Sequence, residues 1–279
     1  MRIILRYFFH IGYKGTNYQG WQRQLNAHSV QECIEKILSQ FLKEDVHCIG
    51  CGRTDSGVHA SQYYFHINTK KIIESKLFFP INRMLPRDIA VYEILEMQEN
   101  NHAQYHATAR TYNYFIHTKK NPFLNEISAL YSVFLDGTKM QEAANLLIGK
   151  KDFRAYCKTP DRHNHTFCEV SKAQFYSNSK KDMFRFEITA NRFLKGMIRI
   201  LMQQFIEIGS RNLSLATFQH QLEEKSSPKT MKLAYPQGLY LSNIIYPFLK
   251  LKPNSDYCPL LQLEEWKAFH QDNDIHSAF

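Results

Sequence analysis

Two consecutive stretches of the chain pass through the same order of hydrophobic periodicities, and this repetition limits the fold more than any single motif does. In the first stretch a strand is predicted over residues 2–12, then a helix from Val30 to Leu42. Ser29 and Glu32 have the spacing of a capping box, and Val30, Cys33, Ile34, Ile37, Leu38 and Phe41 line one helical face. Strands near 46–52 and 60–68, a helix near 74–84 and a strand near 88–96 follow. The second stretch opens with a strand from Arg110 to His117. A helix capped by Thr138 and Gln141 and stopped by Gly149 comes next, then strands near 168–177 and 183–191. A helix from Leu194 to Ile208, a short inserted helix near 214–224 and a strand near 239–246 complete it.

Each stretch therefore spells β-α-β-β-α-β, the split order of a ferredoxin-like sandwich. The expected architecture is α+β: two ferredoxin-like halves facing each other across a central active-site cleft, with helices on one face of each sheet. The expected domains are residues 1–104 and 105–247, with 248–279 as a C-terminal extension of unassigned role.

Hydrophobic residues make up 44% of the 279, enough for a substantial core and against disorder. The early apolar runs are cut by Arg6 and His10, too short for a membrane span, so no membrane partner, no signal peptide and a cytoplasmic location are expected. Against 26 acids stand 35 Lys and Arg, a formal charge of +9 that favours a polyanionic partner without identifying one. Cys48-Ile49-Gly50-Cys51 has metal-ligand spacing, but no second tight pair accompanies it; buried free thiols are the expectation, with no metal.

The most singular segment is Gly50-Cys51-Gly52-Arg53-Thr54-Asp55-Ser56-Gly57-Val58-His59-Ala60, between two predicted strands. Its glycines allow a tight turn and close approach of a ligand. A carboxylate beside Arg53 is kept in its charged form, which suits Asp55 to nucleophilic work better than to acid catalysis. An Asx-type turn, in which Asp55 only bonds backbone amides, fits the same residues. His59 is expected to brace this loop. Tyr13 to Gln24 interleaves aromatics, amides and cations, the composition of a loop that touches RNA, or of an ordinary structured surface loop.

Gly52-Arg53-Thr54-Asp55-Ser56-Gly57-Val58-His59 resembles the G-R-T-D-A-G-V-H motif of TruA-type tRNA pseudouridine synthases. Further blocks similar to that family occur in the expected order, Gly15 to Gln24 before this motif, then Tyr105 to Tyr112, Ala190 to Arg199, and Gly238 to Leu241 after it. The resemblance covers roughly residues 1–247. It implies an isomerase that converts uridine to pseudouridine on the 3′ side of the tRNA anticodon stem-loop, without metal or organic cofactor, working as a homodimer. By the same resemblance Asp55 is the nucleophile and Arg199 its paired arginine. Tyr112 stacks on the flipped base and is a possible general base, Leu239 walls the uracil pocket, and Arg53 helps to expel the base. Lys14, Trp21, Gln22 and Arg23 of the Tyr13–Gln24 segment, together with Arg110, are the expected RNA contacts. The chain departs from the family pattern at Lys14, where Asp is usual, at Ser56, at Gln104 and Thr111, where Arg is common, and at Lys195-Gly196. A non-catalytic RNA-binding module with paired ferredoxin-like sheets is the competing reading.

Overall fold

The computed structural model describes residues 4–228, 231–249, 258–262 and 266–269. Its strands and helices, in chain order, are β1 (Leu5–Tyr13), α1 (Val30–Leu42), β2 (Ile49–Gly50), β3 (His59–Thr69), α2 (Phe78–Met84), β4 (Ile89–Met97) and β5 (Ala109–His117). They continue with β6 (Ala129–Leu130), α3 (Gly137–Asn145), β7 (Gly149–Asp152), β8 (Phe167–Ser177), β9 (Met183–Ala190) and α4 (Met197–Gly209). The last are α5 (Leu215–Glu223), β10 (Leu239–Ile245), α6 (Pro259–Gln262) and β11 (Lys267–Ala268). Helices and strands are mixed as the α+β reading requires. None of the described helices is long and apolar enough to cross a membrane.

The chain divides into two compact units: residues 1–112 with 239–263, and residues 113–238 with 264–279. In the first, β1 pairs antiparallel with both β3 and β4, and β10 joins the other side of β3 in parallel, with Tyr240 opposite His59. One face of this sheet holds Phe9 stacked on Phe65 at 4.9 Å and Trp21 against Tyr63 at 4.1 Å. The other face is also covered by aromatic rings. Phe8, Tyr64 and His66 are buried there, in ring contact with Tyr246, Phe248 and His102. Aromatics on both faces explain why β3 is buried almost throughout.

In the second unit, β8 and β9 form an antiparallel hairpin, β7 flanks β8 and β6 pairs in parallel with β5. Residues 266–269, assigned no role from sequence, add β11 to β8 beside this arrangement, with Lys267 opposite Ser177. The Phe269 ring lies so close to Gly137 that a Cβ there would come within 2.1 Å of it.

Three local expectations are corrected. Asp136, not Thr138, caps α3, its carboxylate accepting from the Lys139 amide at 3.2 Å. Helix α4 starts at Met197 rather than Leu194, because Gly196 at its N-cap has φ +75°, which takes Lys195 off the helix. The predicted strand over 46–52 shrinks to two residues. The beginning of the first predicted strand and most of the extension lie outside the described residues.

His66 supplies a pH test. Burial, then the charges of Arg6 and His102, push its imidazole down to about 3. Its Nδ1 accepts from the Ala103 amide at 3.2 Å, a role that needs the neutral ring. An unfolded histidine titrates near 6.5, so between there and about 3 only the unfolded state takes the proton. This contribution is complete above roughly pH 6.5 and is lost as pH falls towards 3. Urea midpoints should therefore drop from pH 7 to 4.5, and His66→Gln should flatten part of that slope; equal slopes would disprove the assignment.

Candidate active site

The Asp55 loop joins β2 to β3, and backbone groups on both sides of the aspartate are held. Upstream, the Arg110 guanidinium donates to the Cys51 carbonyl at 2.9 Å and the Tyr63 hydroxyl to the Gly52 carbonyl at 2.5 Å. The hydroxyls of Tyr13 and Thr54 share a hydrogen bond of 2.8 Å. Downstream, the Val58 amide donates to the Asp55 carbonyl at 3.1 Å, closing the turn, and Gly57 has φ +76°. The Asp55 side chain is left half-buried between exposed Arg53 and exposed Ser56.

The clamp on the other side is the Gly15–Gln24 loop. Its Trp21 amide donates to the Thr54 carbonyl at 3.3 Å, and its Tyr18 carbonyl accepts from Gly57 at 3.2 Å. The Gly15 amide donates to His59 Nδ1 at 2.9 Å, so His59 braces the two loops together. The contact is too close for side chains: a Cβ on Gly15 would sit 2.0 Å from the Val58 carbonyl oxygen, and one on Gly20 2.3 Å from that of Thr54. The clamp is anchored in turn. Gly20 and Trp21 carbonyls accept the first two amides of α1, while Ser29 accepts the Glu32 amide, as the capping box predicts. The Tyr18 hydroxyl donates to Asp88 at 2.6 Å. Ser56 adds a hydroxyl 3.1 Å from Gln19 Oε1.

Tyr112 is 8% exposed, and burial, with smaller contributions from Cys51 and Asp55, raises its phenol well above the usual tyrosine range; Arg110 opposes the rise. Asp55 and Tyr112 thus lie within each other's electrostatic reach. Leu239 is buried at the start of β10, and the parallel register that sets Tyr240 against His59 brings it level with Val58, at the end of β3 that carries the Asp55 loop. Arg199 lies on α4 in the second unit, where its Nε donates to the Ala234 carbonyl at 2.8 Å.

The residues expected as RNA contacts are of several kinds. Trp21 is 3% exposed and packs inside against Tyr63 rather than facing outward. Arg110 faces inward too, donating to the carbonyls of Cys51, Gln104 and Ala107. Arg23 pairs at 3.3 Å with the buried carboxylate of Glu35. Gln22 is exposed and Lys14 half-buried. Tyr13, Thr54 and Tyr63, which hold the loop, were not singled out from sequence; alternating aromatics on β1 and β3 were the available signal. Cys48 and Cys51 are buried free thiols, and burial pushes Cys51 up to about 11. Among the described residues no group of three or more His, Cys, Asp or Glu is placed to hold a metal ion.

A loop of this kind presents one fixed carboxylate beside a buried phenol, the equipment for covalent or electrostatic work on a ring-shaped substrate. Residues 143–247 match the family model described as tRNA pseudouridine synthase. Among curated relatives, tRNA pseudouridine synthase A of Bacteroides thetaiotaomicron is 38% identical over 244 residues, 87% of this chain and 91% of the relative. Its counterpart in Bacteroides fragilis is 37% identical over 88% of this chain and 97% of its own length. That of Chlorobaculum tepidum is 37% identical over 85% and 96%. The chain belongs to the tRNA pseudouridine synthase A family.

Arg110→Ala would remove donors from two half-buried carbonyls, those of Cys51 and Ala107, and from the exposed Gln104 carbonyl, a cost of about 2 kcal/mol for charge-assisted bonds. Urea unfolding should show that loss, and amide exchange at Gly57 and Val58 should accelerate. Unchanged stability and exchange would show that Arg110 does not brace the loop.

Proposed function

We propose that the protein isomerises uridine to pseudouridine in tRNA, on the 3′ side of the anticodon stem-loop, with Asp55 as the nucleophile. The observation that carries this reading is the immobilised Asp55 loop, held from both sides yet leaving the carboxylate accessible. The glycosidic bond from nitrogen to the sugar breaks, the base turns in place, and a ring carbon bonds to the same sugar carbon. One ring-carbon proton leaves and the freed nitrogen gains one, so no atoms are gained or lost. Asp55 bonds covalently to the sugar or the base ring while the base is free to turn.

Tyr112 offers its ring as a stacking surface for the flipped base, and its raised phenol enters the site protonated. Leu239 contributes an apolar wall, Arg53 helps to replace the extruded base in its stack, and Arg199 balances the charge of the reacting carboxylate. Lys14, Gln22 and Arg23 contact the RNA backbone; Arg110 and Trp21 serve the same contacts from behind by holding the loops. In this proposal residues 1–104 and 105–247 are two ferredoxin-like halves with 248–279 as an extension, in a cytoplasmic homodimer that binds one tRNA.

The test is pseudouridine formation on an unmodified tRNA transcript, without added metal or cofactor. Asp55→Asn should lower turnover by about a thousandfold or more, roughly 4 kcal/mol of barrier, with tRNA affinity within about threefold of wild type. A wild type that binds tRNA without making product would contradict the proposal and favour an RNA-binding module. Equal loss of binding and turnover in Asp55→Asn would assign the residue to loop structure alone.

A further inference from the structure

We propose that a lysine-rich cleft in the second unit is a binding site for backbone phosphates of the tRNA, separate from the Asp55 loop; this deepens the functional reading above and rests on it. The cleft measures about 400 Å³ and lies where the β8–β9 turn meets the segment following β5. Lys119, Lys120 and Lys180 stand on its rim, and Leu124 and Met183 give it an apolar wall.

The frame is stiff. Thr118 donates from both its amide and its hydroxyl to the Asp182 carbonyl, at 2.9 and 3.2 Å. The Asn178 side chain accepts the amides of Asp182 and Met183 and donates to the Asp182 carboxylate at 2.8 Å. The β8–β9 turn and the segment following β5, which leave neighbouring strands of the sheet, are thus locked into one concave surface, which reduces the ordering cost of binding.

Its charge is one-sided. Asp182 is the only carboxylate among the lining residues, and the Asn178 hydrogen bond, then Lys119 at 3.2 Å, hold it below the usual aspartate range. Lys119 and Asp182 therefore offset each other. Lys120 and Lys180 remain as surplus cations on the rim, with exposed Lys181 beside them in a left-handed turn at φ 54°. Buried His117, its Nδ1 3.1 Å from the Ser128 hydroxyl, has its imidazole lowered by burial and adds no charge near neutrality. Clustered ammonium groups with no further carboxylate attract a polyanion, and a volume of this order accepts one nucleotide, the apolar wall lying against its sugar or base. Ser179 and Asn121 add neutral polar groups at the rim.

The experiment measures affinity for unmodified tRNA transcript across a salt series for wild type, for Lys120→Glu/Lys180→Glu, and for Lys36→Glu/Lys70→Glu as an equal charge change on exposed lysines elsewhere. The cleft variant should weaken binding about tenfold or more and reduce the slope of log affinity against log salt by about 1 to 2. Its kcat at saturating tRNA should stay within about twofold of wild type. Unchanged affinity and slope would overturn the proposal, as would an equal loss in the control variant, which would mean net charge alone. Loss of uridine monophosphate binding with tRNA binding intact would also overturn it, pointing to a free nucleotide as the ligand. A wild type that makes no pseudouridine would defeat the functional reading, while the affinity comparison still decides the cleft.

Discussion

The structure of the candidate site depends on a contact between two stretches of backbone. The Gly15–Gln24 loop lies against the Asp55 loop so closely that at Gly15 and Gly20 there is no room for a β-carbon. Hydrogen bonds cross this contact at Gly15, Trp21 and Gly57. Main-chain bonds, with Tyr13 and Tyr63 tethering its other side, hold the loop in place before any substrate arrives. That is the condition under which a carboxylate stabilises a transition state rather than a resting state.

The same arrangement joins the site to the fold. The clamp loop ends by supplying carbonyl acceptors to the first turn of α1, and Tyr18 ties its middle to Asp88 at the start of β4. Strand β3 begins immediately after the Asp55 loop, with β1 on one side and β10 on the other. Strand pairing, helix capping and site geometry therefore share residues, and a loosened clamp would be felt in all three. The polar residues that look most suited to touching RNA are partly committed here: Arg110 to three carbonyls and Arg23 to Glu35.

Much of this was legible in the sequence where local chemistry decides it. Helix α1 runs from Val30 to Leu42 as its capping box and apolar stripe require, and β3, β4, β5, β8, β9 and β10 fall within a residue or two of their alternating segments. Elements that depend on partners were not legible. Strand β7, Gly-Lys-Lys-Asp, has no apolar pattern and exists by pairing with β8; β11 likewise forms only against β8. Trp21 reads as an exposed aromatic in a polar loop, yet it is core, because Gly50 leaves space for its indole against Tyr63: a Cβ at Gly50 would lie 2.6 Å from the indole nitrogen. Helix α4 starts late for a reason that only the backbone shows, the positive φ of Gly196.

Under the proposed function, close packing of the clamp loop is what presents Asp55 to its substrate. Pseudouridine formation by Gly15→Ala, measured together with its melting temperature and with amide exchange at Gly57, tests this most directly. The added methyl group must displace the Val58 carbonyl, so at a temperature where the variant is still folded turnover should fall by roughly a hundredfold or more while exchange at Gly57 accelerates and the melting temperature drops. Wild-type turnover from a variant whose Gly57 amide exchanges faster would contradict the account, since it would show that the aspartate works without the clamp.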